Sequence, residues 1–267
     1  MSWRDWFSWL GFSPAAANTR DAGTPPSGNG ASSFHLFWQM PAHEPLREVS
    51  VTFELLNEPA QDRLYFWALQ AGFADAAGAY GGGHFGFQWH PQYPAKRAVC
   101  WGGYANVGGE LEGGPTTLPS IDGNPNVCAY PWTTGQRWTW RIRLLDDGAG
   151  GLSPPRPNSV WRAELDDPNT GQTVPIRDLW CRGDRLVDPM MWSEVFARCD
   201  DPRVQVRWTE ISARTATQSI LPFAVSVNYQ SYADGGCTNT NSFTDGFGFV
   251  QATNSERTTA QGAILTR

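Results

Sequence analysis

The stretch that decides the fold class is RWTWRIRLL, residues 137–145. Every second residue is apolar, so an extended backbone would carry one apolar face and one polar face. The apolar set is Trp138, Trp140, Ile142 and Leu144, and the polar set is Thr139, Arg141 and Arg143. This alternation is typical of a strand that packs on a core with one face and meets water with the other.

Similar short apolar runs recur along the chain with turn residues between them. HFGFQW (84–89) alternates, with Phe85, Phe87 and Trp89 on one face and His84, Gly86, Gln88 and His90 on the other. VWRAELDD, PNTG and QTVPIRDLW (160–180) together predict a hairpin. The other runs are FHLFWQM (34–40), 49–55, RLYFWALQA (63–71), RAVCWGGY (97–104), RVQVRWTEISA (203–213), LPFAVSVNYQ (221–230) and GFGFVQA (246–252). The pattern predicts an all-β protein, a two-sheet antiparallel sandwich of the jelly-roll or lectin-like kind.

Both ends of the chain differ in character from this middle. MSWRDWFSWLGF (1–12) predicts a short amphipathic helix, in which Trp3, Trp6, Phe7 and Leu10 share one face and could hold a protein partner. Residues 13–33 predict a flexible linker, and 34–230 the sandwich. The Gly-, Thr- and Asn-rich tail, 231–267, predicts an edge strand or a wrap around the sandwich.

Composition narrows the classes of partner. The net charge is −6, and the arginines are dispersed, which excludes the clustered basic face of a nucleic-acid-binding protein. No run approaches 18 apolar residues, so no transmembrane segment is expected. No clear signal peptide is evident, which leaves a cytoplasmic location or export by a non-classical route open.

The five cysteines form no C-x-x-C pair, so the sequence does not indicate a zinc site. Cys181 with Cys199, and Cys100 with Cys128, are the candidate disulfides, and reduced buried thiols are the alternative. No cofactor is predicted. Calcium is the one weak alternative, at Asp122, Asn124 and Asn126, whose oxygens alternate as in a calcium loop but lack a terminal Glu.

Two carboxylate pairs have the spacing that places both side chains on one face of a strand. Glu110 and Glu112 lie among glycines, and Glu164 and Asp166 lead into the predicted hairpin. Glycoside hydrolysis needs two such carboxylates on either side of a sugar ring. The pairs therefore keep a glycoside hydrolase or lyase open, with solvated carboxylates as the simpler interpretation.

Several of these segments, in this order, resemble a bacterial family catalogued only as a domain of unknown function. The residues that carry the resemblance are HFGFQ (84–88), AVCWGGY (98–104), GGELEGG (108–114), YPWTTGQRWTWRIR (130–143) and VWRAELDDPNTGQTVPIRDLW (160–180), within about residues 34–213. The stretch 115–129 departs from the pattern. The resemblance implies a concanavalin-like sandwich and a link to carbohydrate, and it transfers no catalytic residue.

These features together predict a non-catalytic carbohydrate-binding module, with the enzyme interpretation left open. The chain has 14 Trp, most expected in the core and a minority on a surface where sugar rings stack. The predicted ligand-binding residues are Trp89, Trp101, Trp132, Gln88, His90 and Glu110. A third interpretation is a structural or assembly protein that docks through its N-terminal helix.

Overall fold

The computed structural model describes residues 18–42, 44–60, 62–146 and 159–267. Within them the chain forms short strands joined by turns, with one 3-10 helix at Pro94–Lys96. The strands are β1 (Ser32–Gln39), β2 (Glu48–Leu55), β3 (Tyr65–Asp75), β4 (Gly78–Trp89), β5 (Arg97–Ala105), β6 (Ser120–Ile121), β7 (Asn124–Ala129), β8 (Arg137–Asp146), β9 (Ser159–Asp167), β10 (Gln172–Cys181), β11 (Arg185–Val195), β12 (Gln205–Arg214), β13 (Ser219–Ile220), β14 (Ala224–Tyr229), β15 (Asn241–Thr244), β16 (Phe249–Ala252) and β17 (Ile264–Leu265).

The strands form two antiparallel sheets, as predicted. The nine-stranded sheet has the order β17-β14-β1-β11-β3-β4-β5-β7-β6. The eight-stranded sheet has the order β10-β9-β8-β2-β12-β16-β15, with β13 paired to β12. The predicted hairpin is confirmed, because β9 and β10 pair from Asp167 and Gln172 onward. Among the described residues, no helix is long and apolar enough to cross a membrane.

The sheets pack face to face through a core of aromatic rings. Phe53 of β2 stacks on Trp140 at 4.5 Å between ring centroids and meets Trp67 of the opposite sheet at 5.7 Å. Phe73 of β3 stacks on Trp161 of β9 at 4.7 Å. The alternation of RWTWRIRLL is confirmed, since its Trp residues are buried in this core. Aromatic pairs of this kind contribute about 0.5–1.5 kcal/mol each beyond the area that they bury.

One buried polar side chain also joins the two sheets. Gln251 of β16 accepts hydrogen bonds from the Trp208 indole at 3.0 Å and from the Ser193 hydroxyl at 2.9 Å. Its amide nitrogen donates to the Phe34 carbonyl at 2.8 Å. Ser193 and Phe34 belong to the nine-stranded sheet and the other two residues to its partner. The amide therefore satisfies polar groups of both sheets inside the core.

The glycine run Gly81–Gly83 lies within β4 and not in a turn ahead of the strand. The turn is at residues 76–77, and Gly83 pairs with Ala71 across the sheet. A Cβ atom on Gly83 would lie 2.5 Å from the Trp101 ring. Glycine is required here because the indole occupies the space of a side chain.

The tail and the predicted linker both contact the sheets. The tail contributes β15, β16 and β17. Arg20, inside the predicted linker 13–33, donates to the carbonyls of Tyr232 and Gly236 at 2.9 and 3.0 Å. The second half of that linker is therefore anchored to the sandwich. The predicted helix, with Trp3, Trp6, Phe7 and Leu10, lies outside the described residues.

The disulfide differs from both predicted pairings, because Cys199 is bonded to Cys237. Cys100, Cys128 and Cys181 are free and buried. Cys128 packs into the core between the sheets, whereas Cys100 belongs to a cluster on the opposite side of the same sheet. Thiols on opposite faces of a sheet cannot be bridged, which explains why the second predicted pair does not form.

Candidate functional site

The two outer faces of the sandwich differ in chemistry. The outer face of the eight-stranded sheet is a lattice of ion pairs. Arg141 lies 3.6 Å from Glu48, 3.7 Å from Glu164 and 3.1 Å from Asp166, and Arg143 binds Glu164 through two hydrogen bonds. Both carboxylates of the predicted pair Glu164 and Asp166 are thus held by arginine. They do not offer the separate acid and base that glycoside hydrolysis needs.

The outer face of the nine-stranded sheet instead carries aromatic, histidine and amide side chains, and we call it the aromatic face. Its members, all on strands of this one sheet, are His35, Phe37, Phe66, Ala68, Gln70, His84, Cys100, Met190, Trp192 and Glu194. Five of them, Phe66, Ala68, Cys100, Met190 and Trp192, form a hydrophobic cluster separate from the main core.

Trp192 lies at the centre of the aromatic face. Its ring meets Phe66 edge-on at 4.8 Å between centroids, with His35 at 6.4 Å and His84 at 6.1 Å. Its indole N–H donates to Oε1 of Gln70 at 2.9 Å. This bond fixes the orientation of the Gln70 amide, because Oε1 is the acceptor and the NH₂ group is the donor.

The two histidines of the face are neutral at physiological pH. Burial lowers the pKa of His35 to about 4 and that of His84 to about 4. The physical cause is that a charged imidazolium loses its hydration on this aromatic surface. The two histidines therefore contribute uncharged polar groups to this face.

Among the residues of the aromatic face named above, Glu194 is the one that carries a carboxyl group. It lies across from Ser33 on one neighbouring strand and from Phe66 on the other. Its Oε1 accepts a hydrogen bond from Nδ2 of Asn29 at 2.9 Å, and the Asn29 oxygen accepts from the Ala31 N–H, which fixes the amide. Burial raises the pKa of Glu194 to about 7, and hydrogen bonding by Asn29 and Ser33 offsets part of that rise. A carboxyl with such a pKa can both take up and release a proton near neutral pH.

The three predicted sugar-stacking tryptophans are all in the core. Trp101 and Trp132 are 0% exposed and Trp89 is 5% exposed. Trp132 stacks on Phe87 and donates its indole N–H to the Ala98 carbonyl. None of the three presents an indole face on which a sugar could stack.

The other predicted ligand-binding residues are dispersed. Gln88 is buried and accepts a hydrogen bond from the Tyr93 hydroxyl at 3.0 Å. His90 stands at the end of β4 against Tyr93, with ring centroids 4.9 Å apart. Glu110 is exposed and accepts from Asn126 at 3.1 Å. The structure brings none of them together with the predicted tryptophans as one site.

The calcium candidates lie in the turn around β7. Oδ1 of Asn124 accepts from the backbone N–H of Asn126, and Oδ1 of Asn126 accepts from Arg177 at 2.6 Å. Asp122 has a positive φ of 52° and is exposed. Within the described residues, no group of three or more His, Cys, Asp or Glu side chains could hold a metal ion. Calcium binding here stays a prediction.

The sequence interpretation missed Gln70, Trp192, Glu194 and His35. The sequence predicts the strands that contain Gln70 and His35, but it does not predict that these polar side chains share one face with aromatic residues. WSE, residues 192–194, alternates in the same way within β11, which was not predicted as a strand. A polar side chain that recurs on one side of a densely apolar strand is the signal that could have found them.

Comparisons with known proteins gave structural matches alone. A scan against protein-family models and a search of curated proteins found no match. A solved structure of scytalido-glutamic peptidase with a transition state analog inhibitor is 12% identical, covers 83% of this chain and 98% of its own, and has a TM-score of 0.49. SCP-B, described as a member of the Eqolisin family of peptidases, is 10% identical over 87% of this chain and 98% of its own, with a TM-score of 0.41. Similarity at this level carries no argument about the chemistry of this chain.

The prediction of a non-catalytic carbohydrate-binding module is wrong. Its proposed stacking residues, Trp89, Trp101 and Trp132, are buried in the core, so no indole face is open to a sugar ring. The resemblance to a family of unknown function stays a prediction.

Proposed function

We propose that this chain is a hydrolase that cuts an amide bond of an extended peptide bound across the aromatic face, with Glu194 as the proton-transferring group. The observation that carries the proposal is the arrangement on one surface of a half-buried carboxyl, aromatic rings and an oriented amide. No other outer surface among the described residues combines these three features.

The surroundings of Glu194 suit acid–base chemistry. Its ionised form can take a proton from a water molecule as the water oxygen attacks a substrate carbonyl carbon. Its protonated form can then deliver that proton to the leaving nitrogen as the C–N bond breaks. Asn29 and Ser33 are the neighbouring polar groups that hydrogen-bond the carboxyl and hold it in place.

The length of the aromatic face suits a peptide of a few residues. Phe66 lies beside Glu194, and Gln70 lies beside Met190. Glu194 and Gln70 are therefore four strand positions apart, which is about 13 Å at 3.3 Å per residue. An extended peptide covers the same distance with about four residues. The Gln70 amide would bind its backbone, and an apolar side chain would pack on Trp192 and Phe66. These three side chains are buried, so a peptide reaches them only when they are uncovered.

The test is cleavage of unfolded protein substrates, read by mass spectrometry of the products between pH 5 and 8. Glu194→Gln keeps the size of the side chain and removes the transferable proton, so we expect its rate to fall by about 100-fold or more. Glu112→Gln, a change of an exposed carboxylate away from this face, is the matched control and should keep the native rate.

The pH profile supplies a second readout. Because the base must be ionised, the rate should rise with pH through about 7, the pKa of Glu194. Equal rates for Glu194→Gln and the native chain would refute the assignment of Glu194. Binding of peptide without cleavage would show a peptide-binding surface instead of a hydrolase.

A further inference from the structure

The chain ahead of β1 connects Glu194 to a distant loop of the sandwich. We call residues 20–31 the strap and residues 231–239, in the loop after β14, the platform. At one end of the strap, the backbone N–H and the guanidinium of Arg20 donate to the platform at 2.7, 2.9 and 3.0 Å. At the other end, Asn29 donates to the Glu194 carboxyl at 2.9 Å. The strap therefore lies between the platform and the carboxyl of the aromatic face.

The platform approaches the strap closely at Gly235. A Cβ atom on Gly235 would lie 2.6 Å from the Cα atom of Ser27 and 2.9 Å from the carbonyl carbon of Pro26. Gly235 also has a φ of 88°, in the region that favours glycine. The backbones of the two segments are thus in direct contact, and a side chain at this position would push Ser27 away.

Ser27 begins the turn that carries Asn29. The Ser27 carbonyl accepts a hydrogen bond from the Gly30 N–H at 2.9 Å, and the Ser27 hydroxyl donates to the Ala31 carbonyl at 2.6 Å. The Asn29 oxygen accepts from the Ala31 N–H at 3.1 Å, which leaves the amide nitrogen to donate to Glu194. Because these bonds close the turn on itself, a displacement of Ser27 moves Asn29 with it.

The disulfide joins the platform to the chain that follows the strand of Glu194. Cys237 of the platform is bonded to Cys199, which lies just beyond the end of β11. The Cys199 N–H donates to the Gly23 carbonyl of the strap at 2.9 Å, and the Asn239 amide of the platform donates to the Cys199 carbonyl at 2.9 Å. The strap therefore rests on two segments that the disulfide holds together.

The ionisation of Glu194 responds to this arrangement through one hydrogen bond. Burial raises the pKa of Glu194, and the hydrogen bond from Asn29 offsets part of that rise. The other titratable side chains of the face are His35 on β1, His84 on β4, and Cys100 and Tyr104 on β5. Burial lowers the pKa of both histidines and raises the pKa of the thiol and of the phenol, so all four are uncharged near pH 7. A movement of Asn29 is therefore the way in which the strap changes the behaviour of the carboxyl.

We propose that the platform positions Asn29 against Glu194, with Gly235 as the point of contact and the Cys199–Cys237 disulfide as the link that holds the platform in place. The positioning stands on the hydrogen bonds and the packing described above. Its consequence for the cleavage of an amide bond rests on the proposed function.

The experiment measures how strongly residue 29 acts on Glu194, by carbon NMR titration of the Glu194 side-chain carboxyl in the full chain. Loss of the signal in Glu194→Gln assigns it. Asn29→Asp keeps the size of the side chain and the acceptor for the Ala31 N–H. We expect it to raise the pKa of Glu194 by about one unit or more, a tenfold change in the protonation equilibrium, because a hydrogen-bond donor is lost and a like charge is added.

The effect of Asn29→Asp is then measured again in chains with an altered platform. Gly235→Ala should reduce it to less than about half, since residue 29 is no longer held against the carboxyl. Gly246→Ala is the matched control and should keep the full effect, because its φ of 82° imposes similar backbone strain while a Cβ there contacts nothing. The bridge-free variant, Cys199→Ser with Cys237→Ser, should behave like Gly235→Ala.

An equal effect of Asn29→Asp with and without Gly235→Ala would overturn the proposal. An equal loss of the effect in Gly246→Ala would overturn it as well, since that result would point to strain in any loop. A loss in Gly235→Ala but not in the bridge-free variant would overturn the role of the disulfide. Gly235→Ala keeps the disulfide, so the test remains decisive if the bridge-free variant does not fold.

Activity separates this inference from the proposed function. If both are right, Gly235→Ala cleaves unfolded substrates at least about tenfold more slowly than Gly246→Ala at saturating substrate, because the acid–base group is misplaced. If the NMR titrations show the expected loss but the native chain cleaves nothing, the positioning is supported and the hydrolase proposal fails. If cleavage depends on Glu194 while the platform variants leave the effect of Asn29→Asp unchanged, the hydrolase proposal stands and the positioning fails.

Discussion

Replacing Glu194 by glutamine should change how the stability of the protein depends on pH. The carboxyl is half-buried on the aromatic face, and its loss of hydration there raises its pKa from the ordinary 4.5 to about 7. Glutamine has the same size and can accept the hydrogen bond from Asn29 through its own amide oxygen. The substitution therefore removes the titration while it keeps the packing.

The sign and the size of the effect follow from proton linkage. Between pH 4.5 and 7 the folded protein holds a proton on Glu194 that the unfolded chain has released. The free energy of unfolding contributed by this group is therefore full below pH 4.5 and is lost as pH rises through about 7. One pH unit corresponds to about 1.4 kcal/mol, so the loss amounts to about 3 kcal/mol by pH 8.

The measurement is urea unfolding of the native chain and of Glu194→Gln at steps between pH 4 and pH 8. The native profile alone does not isolate Glu194, because the lowered pKa values of His35 and His84 remove stability as pH falls from 6.5 to about 4. The difference between the two proteins cancels the histidine contributions. It should grow from a baseline at pH 4 to about 3 kcal/mol in favour of the variant at pH 8.

With a urea m-value of about 3 kcal/mol/M, that difference moves the midpoint by about 1 M, which is readily measured. Glu112→Gln, at an exposed position away from this face, is the control for the effect of exchanging a glutamate for a glutamine as such. A difference curve for Glu194→Gln that is flat across this range would refute the reasoning, since it would show that the carboxyl titrates alike in the folded and unfolded protein.

Three further predictions concern the packing and the disulfide of the sandwich that carries the aromatic face. Gln251→Leu should lower the free energy of unfolding by about 3–5 kcal/mol in urea titration, because three buried polar groups lose their hydrogen-bond partner. The control Gln172→Leu, at an exposed position, should lower it by less than about 0.5 kcal/mol. Gly83→Ala should lower the free energy of unfolding by about 1–3 kcal/mol and change the near-UV circular dichroism, since the new Cβ would clash with the Trp101 ring. Gly114→Ala is the control, because a Cβ has room there. Equal stability of the two variants would contradict the packing argument. Reduction of the Cys199–Cys237 disulfide, which closes a loop of 38 residues, should lower the free energy of unfolding by about 4 kcal/mol. An unchanged urea midpoint in the presence of reductant would contradict this prediction.

Local alternation allowed much of the fold to be predicted. In β4 the prediction placed His84 and Gln88 on the face opposite Phe85, and the structure agrees. The prediction is wrong where the role of a residue depends on its contacts with a neighbouring strand. Trp101 was assigned to a ligand surface, but its indole fills the space beside Gly83, and nothing in the spacing of either residue specifies that contact.

The aromatic face shows the same difference between what alternation along one strand predicts and what contacts between strands decide. Its residues lie on strands whose alternation is readable along the chain, so each could be assigned to one side of its own strand. Their meeting could not be predicted, because Gln70 and Trp192 are 122 positions apart and Asn29 and Glu194 are 165 apart.

The sequence by itself determined that this chain is all-β, that its strands have one apolar side, and that its ends differ from its middle. The tertiary structure decided which strands are neighbours, which cysteines join, and which outer face carries a half-buried carboxyl beside aromatic rings. The physical reason is that the two-residue period of a strand is a local property of the backbone. Strand order, and the burial that raises the pKa of Glu194, arise from contacts between distant segments and appear only when the sheets have formed.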